Sequence, residues 1–207
     1  DLNFLPASHF AHITGRGKQI EKYWYLEDAP PIRFATDDEY VEGFLEQFRR
    51  AVRVRLNSIR PVASTLSAGL DSSSVTALAA QELKKRNQPL VAYTSVPLYP
   101  CQHLFPHRIT DEWPLAHEVA KLYDNIEHVP INAEETTILD GIKKSLEITG
   151  EPQHAAINMF WIISMLENSK DRAIGVMLRG RMGIGSISCN GGIYYIFVLF
   201  SKNQWRK

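Results

Sequence analysis

The chain has 207 residues, with 23 lysines and arginines against 23 aspartates and glutamates, so its formal net charge is zero. A balanced charge gives no support for a nucleic-acid partner or an anionic membrane surface. The hydrophobic fraction of 44% and the charged fraction of 22% are typical of a soluble globular protein. Cys101 and Cys189 make neither a disulfide framework nor a zinc-binding spacing, and we find no signal peptide and no apolar run of about 18 residues. We therefore expect a cytoplasmic protein that binds neither nucleic acid nor membrane.

The amino-terminal part predicts a short β region followed by one long helix. Residues 1–31 hold short apolar pieces broken by glycine and proline, which favour one or two short strands and a proline-rich linker. Thr36 then stands before three acidic residues, a pattern typical of a helix start. Apolar residues follow at helical spacing and predict one buried face, formed by Tyr40, Val41, Phe44, Leu45, Phe48, Val52 and Leu56.

The next stretch carries the most informative pattern in the chain. The apolar run Val62–Leu66 predicts a buried strand, Ser67–Ser72 a tight polar loop, and Ser73–Lys85 a helix. Gly69 lets a ligand approach the main chain, and free N–H groups at the start of the helix favour a phosphate. Asp71 would repel that phosphate unless a divalent cation lay between them. The loop therefore indicates a magnesium-bound polyphosphate, with an ordinary turn capped by serine and aspartate as the alternative.

The remaining pattern alternates strands and helices, as in a parallel α/β sheet. Strands are predicted at 89–97, 126–131 and 173–178, and helices from 111, at 132–148 and at 155–168, with Pro114 in a first turn. Ligands bind at the carboxyl ends of parallel strands, so the end of the second strand should approach the same ligand as the loop.

The string SAGLDSSS at residues 67–74 resembles the SGGLDSS pyrophosphate loop of the asparagine synthetase family and its relatives, which include beta-lactam synthetases and lasso-peptide cyclases. Ala68 stands where the family usually has glycine. The resemblance implies part of an adenine nucleotide alpha hydrolase-like fold, the PP-loop ATP pyrophosphatase fold. This is an α/β fold whose parallel sheet, of four or five strands here, has helices on both faces. It also implies that residues 1–31 are the end of a glutaminase domain or a linker, and that 32–207 are the amino-terminal part of an ATP-dependent synthetase domain.

A second stretch, RGRMGIG at residues 179–185, is similar to the family's second phosphate-site motif. That motif reads like SGEGSDE in asparagine synthetases and like TGQMGNATIS in some relatives. Gly180 matches it, but Arg181 and Ile184 stand where the family has acidic or amide residues. Because an isoleucine cannot coordinate a hard cation, metal binding would rest mainly on Asp71.

The resemblance implies ATP-dependent amide formation of the asparagine synthase (glutamine-hydrolysing) type, with ATP and Mg²⁺ as cofactors. A small-molecule or peptide carboxylate would be adenylated with release of pyrophosphate, and ammonia or an amine would then displace AMP. The implied ATP and pyrophosphate contacts are Leu66, Ser67, Gly69, Asp71, Ser72, Ser73, Ser95 and Gly180, with Asp71 also on the metal. Thr94 and Ser95 are the nearest match to the residues that the family places against the adenine. No residue is a convincing general base. A glutaminase domain or subunit and a homo-oligomer stay open as partners, and the alternative is a nucleotide-binding protein or truncated family member without catalysis.

Overall fold

The computed structural model describes residues 3–25, 28–181 and 183, and the chain divides into two units, Asp1–Leu45 and Glu46–Lys207. Two residues singled out above, Ile184 and Cys189, lie outside the described residues. Neither the division nor the described elements test the assignment of 1–31 to a glutaminase domain or linker, so that assignment stays a prediction.

The first unit contains an antiparallel hairpin of β1 (His9–Thr14) and β2 (Gly17–Lys22). Thr14 pairs with Gly17 across a two-residue turn, and Gly17 takes a φ of +143°, which glycine adopts without a steric penalty. This hairpin confirms the prediction of one or two short strands in this region. Nearly all of its residues are exposed.

Helix α1 (Asp37–Arg55) begins in the first unit and ends in the second. Thr36 caps it as predicted: the Glu39 amide donates to Thr36 Oγ1 at 3.3 Å, and the Thr36 amide donates to a Glu39 carboxylate oxygen at 3.1 Å. The predicted buried face is wrong in its first half, where Tyr40, Val41 and Phe44 are 41 to 63% exposed. The second half of the helix packs into the core on the sheet, through the partly buried Phe48 and the buried Val52 and, just after the helix, Leu56.

The second unit is built on a parallel sheet of four strands: β3 (Val62–Thr65), β4 (Leu90–Ser95), β5 (Ile126–Ile131) and β6 (Val176–Leu178). Their order across the sheet is β5-β4-β3-β6, and every neighbouring pair is parallel. β3 and β4 are buried over most of their length, as expected for strands covered on both faces. The predicted α/β class is therefore confirmed.

Helices cover both faces of this sheet, as predicted. The helices of the second unit are α2 (Leu70–Lys84), α3 (Trp113–Lys121), α4 (Ile138–Thr149) and α5 (Met159–Asp171). On one face, Val62 packs with residues of α1 and α2, including Leu83, and α3 packs against Ala92 of β4. On the other face, Ala63 packs with Met165 of α5. Successive residues of β3 thus face opposite layers.

Two helix starts differ from the sequence prediction. α2 begins at Leu70 rather than Ser73, so Asp71, Ser72 and Ser73 form its first turn and do not lie in the loop. Short polar residues suit a first helical turn as well as a loop, because their side chains can bond the nearby main chain. α4 begins at Ile138 rather than Asn132, because Thr137 and Asp140 form a capping box there.

Candidate functional site

The carboxyl ends of β3 and β4 and the residues that follow β6 line a cleft of about 700 Å³. Its walls come from seven separate segments of the second unit. The lining residues are Thr65, Leu66, Ser67, Ser72, Tyr93, Ser95, Val96, Pro97, Leu98, Ile109, Thr110, Glu112, Asn132, Phe160, Trp161, Arg179, Gly180 and Arg181. This is the position expected for a ligand site on a parallel sheet.

The loop between β3 and α2 is closed by hydrogen bonds between its own polar groups. The Ser67 amide donates to Ser72 Oγ at 3.0 Å, and the two serine hydroxyls are 2.7 Å apart. The Gly69 amide donates to Ser67 Oγ at 3.1 Å, and the Ser73 hydroxyl donates to the Ser67 carbonyl at 3.2 Å. Because each hydroxyl has only one proton, the main-chain N–H groups at the start of α2 are the chief donors for an anion here.

Glu112, just before α3, forms a hydrogen bond to the loop between β3 and α2. Its carboxylate accepts a hydrogen bond of 3.3 Å from the Ala68 amide, and the residue also lines the cleft. Sequence reasoning treated the pair Asp111-Glu112 only as a helix start. The spacing of 44 residues between Ala68 and Glu112 gave no local signal, since only the fold brings them together.

The segment after β6 packs directly on the first turn of α2. A Cβ atom added to Gly180 would lie 2.5 Å from the Asp71 carbonyl carbon and 2.5 Å from the Ser72 nitrogen, closer than real contacts allow. A Cβ on Gly183 would overlap the Asp71 carboxylate. The two stretches that resemble phosphate motifs, which are separated by about a hundred residues in the chain, therefore meet at one place.

The predicted site residues fall into two groups. Leu66, Ser67, Ser72, Ser95 and Gly180 line the cleft. The other three, Gly69, Asp71 and Ser73, belong to the same loop and helix turn but are not among the lining residues that the structure describes.

Thr94, which was predicted to lie at the ligand together with Ser95, is instead buried, with 1% of its surface exposed. Its hydroxyl lies 2.7 Å from the Leu66 carbonyl oxygen and 2.7 Å from His128 Nε2. The Nδ1 atoms of His128 and His117 are 3.1 Å apart, and the Trp113 ring stacks on the His128 ring at 3.9 Å between centroids. Burial, and then the nearby charge of His117, lower the pKa of His128 from 6.5 to about 4.

Sequence reasoning missed most of the cleft wall. Thr110, Asn132, Phe160 and Trp161 line it from different segments, and no motif marks them. Arg179 also lines it and belongs to the RGRMGIG stretch, but it was not among the predicted site residues.

The described donor groups fit a magnesium ion that arrives with a polyphosphate. No group of three or more histidine, cysteine, aspartate or glutamate side chains among residues 3–25, 28–181 and 183 could hold a metal by itself. Mg²⁺ is commonly held by one or two carboxylates together with phosphate oxygens and water. Asp71, at the start of α2, supplies one such carboxylate.

None of the helices that the structure describes is long and apolar enough to cross a membrane.

Comparison with known proteins gives a family match over most of the chain. Residues 43–183 match the family model described as asparagine synthase. The chain is 45% identical over 84 residues to the amidase chry2 of Gibberella zeae, and 30% identical over 83 residues to the amidase chyE of Penicillium rubens. Each match covers 39% of this chain but only 12% of the relative, so the chain spans about an eighth of their length.

Two solved structures have similar chain traces at low identity. An NH3-dependent NAD synthetase from Campylobacter jejuni subsp. jejuni, in complex with the nitrate ion, is 17% identical with a TM-score of 0.37. That match covers 67% of this chain and 54% of the other. The U34-tRNA thiolase NcsA from Methanococcus maripaludis, with its [4Fe-4S] cluster, is 18% identical with a TM-score of 0.45, covering 78% of this chain and 52% of the other.

Proposed function

This chain belongs to the asparagine synthase family, and we propose that it takes part in ATP-dependent amide-bond formation. A carboxylate oxygen of the acyl substrate attacks the α-phosphate of ATP, which gives an acyl-adenylate and releases pyrophosphate. Ammonia or an amine then attacks the acyl carbon, which gives the amide and AMP. The observation that carries the proposal is the meeting of the Ser67–Ser72 stretch and the Gly180 segment at one cleft.

The start of α2 would bind the pyrophosphate part of ATP. Main-chain N–H groups of the first turn, together with the positive end of the helix dipole, favour an anion at this place. The hydroxyls of Ser67 and Ser72 lie at the same cleft and can exchange their mutual hydrogen bond for one to a phosphate oxygen. Asp71 would hold Mg²⁺, which would offset the negative charge of the phosphates.

Two arginines would add positive charge to this site. Arg179 and Arg181 are exposed and line the cleft. A guanidinium group forms paired hydrogen bonds with phosphate or carboxylate oxygens. Arg181 would therefore bind an anionic group of ATP or of the acyl substrate, at a position where the family has an acidic or amide residue.

The chemistry needs positioning and charge stabilisation more than proton transfer. The attacking carboxylate is already ionised at neutral pH, and the pyrophosphate leaves as an anion that donors and a metal can stabilise. Holding the carboxylate against the α-phosphate converts a two-body reaction into one within a complex. For this reason we assign binding residues but no general base.

A trapping assay tests the proposal. The chain is incubated with ATP, Mg²⁺, hydroxylamine and a panel of small carboxylic acids and amino acids, and both pyrophosphate and hydroxamate are measured. We expect at least one acid to give the two products in equal amounts, because hydroxylamine takes the place of the amine. Saturable ATP binding with no pyrophosphate from any acid would instead favour a nucleotide-binding protein without catalysis.

The source of the amine can be tested in the same way. An active acid is assayed with an ammonium salt and with glutamine in place of hydroxylamine. Amide formation with ammonium alone would support delivery of ammonia by a separate glutaminase domain or subunit. Equal rates with glutamine alone would contradict it.

A further inference from the structure

A chain of hydrogen bonds runs from α3 through the sheet to the loop at the cleft. His117 contacts His128 at 3.1 Å, and His128 contacts the Thr94 hydroxyl at 2.7 Å. The Thr94 hydroxyl contacts the Leu66 carbonyl oxygen at 2.7 Å. Leu66 is the last residue before Ser67, and its own amide donates to the Tyr93 carbonyl at 2.8 Å. Both polar main-chain groups of Leu66 are thus held by β4.

The direction of each hydrogen bond follows from what each atom can donate. A carbonyl oxygen has no proton, so the Thr94 hydroxyl must donate to Leu66. That uses the only proton of the hydroxyl, so Thr94 Oγ1 must accept from His128, and Nε2 of His128 carries a hydrogen. His128 is neutral at pH 7, since burial lowers its pKa to about 4, so its Nδ1 accepts from Nδ1–H of His117. For a neutral His128, only this assignment satisfies all three contacts.

The Leu66–Ser67 peptide unit links this series of hydrogen bonds to the loop at the cleft. The Leu66 carbonyl and the Ser67 amide belong to one rigid plane. Thr94 holds the carbonyl, and Ser72 Oγ accepts from the amide at 3.0 Å. The orientation of the Leu66 carbonyl therefore sets where the Ser67–Ser72 pair sits at the cleft.

We propose that His128 is a positioning residue for the nucleotide loop, acting through Thr94 to fix the Leu66–Ser67 peptide plane. The stacked Trp113 ring restricts rotation of the His128 ring, so that Nε2–H keeps facing Thr94. This inference rests on the proposed function, in which the loop binds the phosphates of ATP.

The test compares paired variants of the full chain in calorimetric titrations with ATP and Mg²⁺. T94V removes the hydroxyl but keeps the branched shape, and T94S restores the hydroxyl. H128F keeps a stacking ring without a donor, and H128Q can present an amide N–H near the position of Nε2. T76V is the matched control, because Thr76 is another buried threonine. Its hydroxyl bonds Ser64 Oγ at 3.0 Å and donates to the Thr65 carbonyl at 3.5 Å, and neither bond belongs to the series that joins His117 to Leu66.

We expect T94V and H128F to weaken ATP binding about tenfold, in keeping with the loss of one positioning hydrogen bond. T94S and H128Q should bind nearly as the wild type does, and T76V should lower the melting temperature without weakening binding. Unchanged affinity in T94V and H128F, or an equal loss in T76V, would overturn the positioning role. If H128F does not fold, the T94V and T94S pair decides.

Two further results separate the inference from the function on which it rests. A wild-type chain that does not bind ATP would overturn the proposed function itself, and the positioning role with it. Nitrogen NMR of the histidines at pH 7 reports the tautomer without any ligand. His128 should be the neutral Nε2–H form, and the Nδ1–H form would overturn the assigned direction of the bonds.

Discussion

Arg181 is the residue that departs most from the family pattern and still lies at the site. It is exposed and lines the cleft, and by the motif resemblance it stands where the family has an acidic or amide residue. On the sequence alone, this departure removes a metal ligand but offers a guanidinium group that can pair with phosphate. Its position in the cleft favours the second interpretation, a cationic group for an anionic ligand.

We predict that R181A weakens the binding of ATP or of the acyl substrate about tenfold, because a hydrogen bond to a charged group contributes more than a neutral one. R181K should recover part of the loss, since lysine keeps the charge but not the paired geometry. R172A serves as the control, because Arg172 pairs with Glu127 rather than lining the cleft. Titration calorimetry and steady-state kinetics measure the effect, and equal binding in R181A and R172A would contradict this role.

His128 predicts how stability depends on pH. Its pKa is lowered to about 4 in the folded protein, against 6.5 for an ordinary histidine, by burial and then by His117. Between these values the unfolded chain binds a proton that the folded chain does not, so stability falls as the pH drops from 6.5 towards 4. Above pH 6.5 the effect is absent.

Urea denaturation at pH 7.5 and at pH 5 measures this linkage. The wild type should lose more stability on acidification than H128Q, in which the titrating group is gone. His117 of α3 faces His128 and is present in both proteins, so the difference between them reports His128 together with its interaction with His117. The same pH dependence in both proteins would show that His128 titrates normally.

At the scale of elements, the strands were easier to predict than the helix starts. The prediction of β5 at residues 126–131 is confirmed; this short segment, with Ile126, Val129 and Ile131, lies between two predicted helices, as a strand of an alternating α/β pattern does. The start of α2 was placed three residues late, since serine and aspartate favour loops and first helical turns equally. The start of α4 was placed early, although Thr137 and Asp140 have the spacing of a capping box.

The contact between the Gly180 segment and α2 can be tested by adding one methyl group. In G180A the new Cβ would meet the main chain of Asp71 and Ser72 at 2.5 Å, so the two elements must move apart. We expect a loss of about 1–3 kcal/mol in the free energy of unfolding, together with weaker ATP binding. Chemical denaturation and calorimetry measure the two effects.

Gly15 in the hairpin turn supplies the control for this substitution. A Cβ added there would meet nothing within 4 Å, so G15A should change stability by less than about 0.5 kcal/mol. If G180A were as harmless as G15A, the close packing of the two motifs would be wrong.

At the scale of the whole molecule, the sequence predicted the sheet and helices that carry the site but not most of the side chains that line the cleft. Alternating strands and helices predicted a parallel sheet with helices on both faces, because such a pattern allows few other topologies. Glu112, Phe160 and Trp161 reach the cleft only through long-range folding, and spacing along the chain cannot show that. The family match covers residues 43–183, while each matched relative is mostly outside the region compared.

The most direct test of the central claim is a calorimetric titration of the chain with ATP, with and without Mg²⁺, in the wild type and in D71N. D124N is the matched control, because Asp124 is an exposed carboxylate that pairs with Lys84 at 2.8 Å. We predict saturable, magnesium-dependent binding in the wild type and in D124N, and binding about tenfold weaker in D71N, where the metal loses its carboxylate. No detectable binding at millimolar ATP in the wild type, or the same magnesium dependence in D71N, would contradict a nucleotide site built on the start of α2.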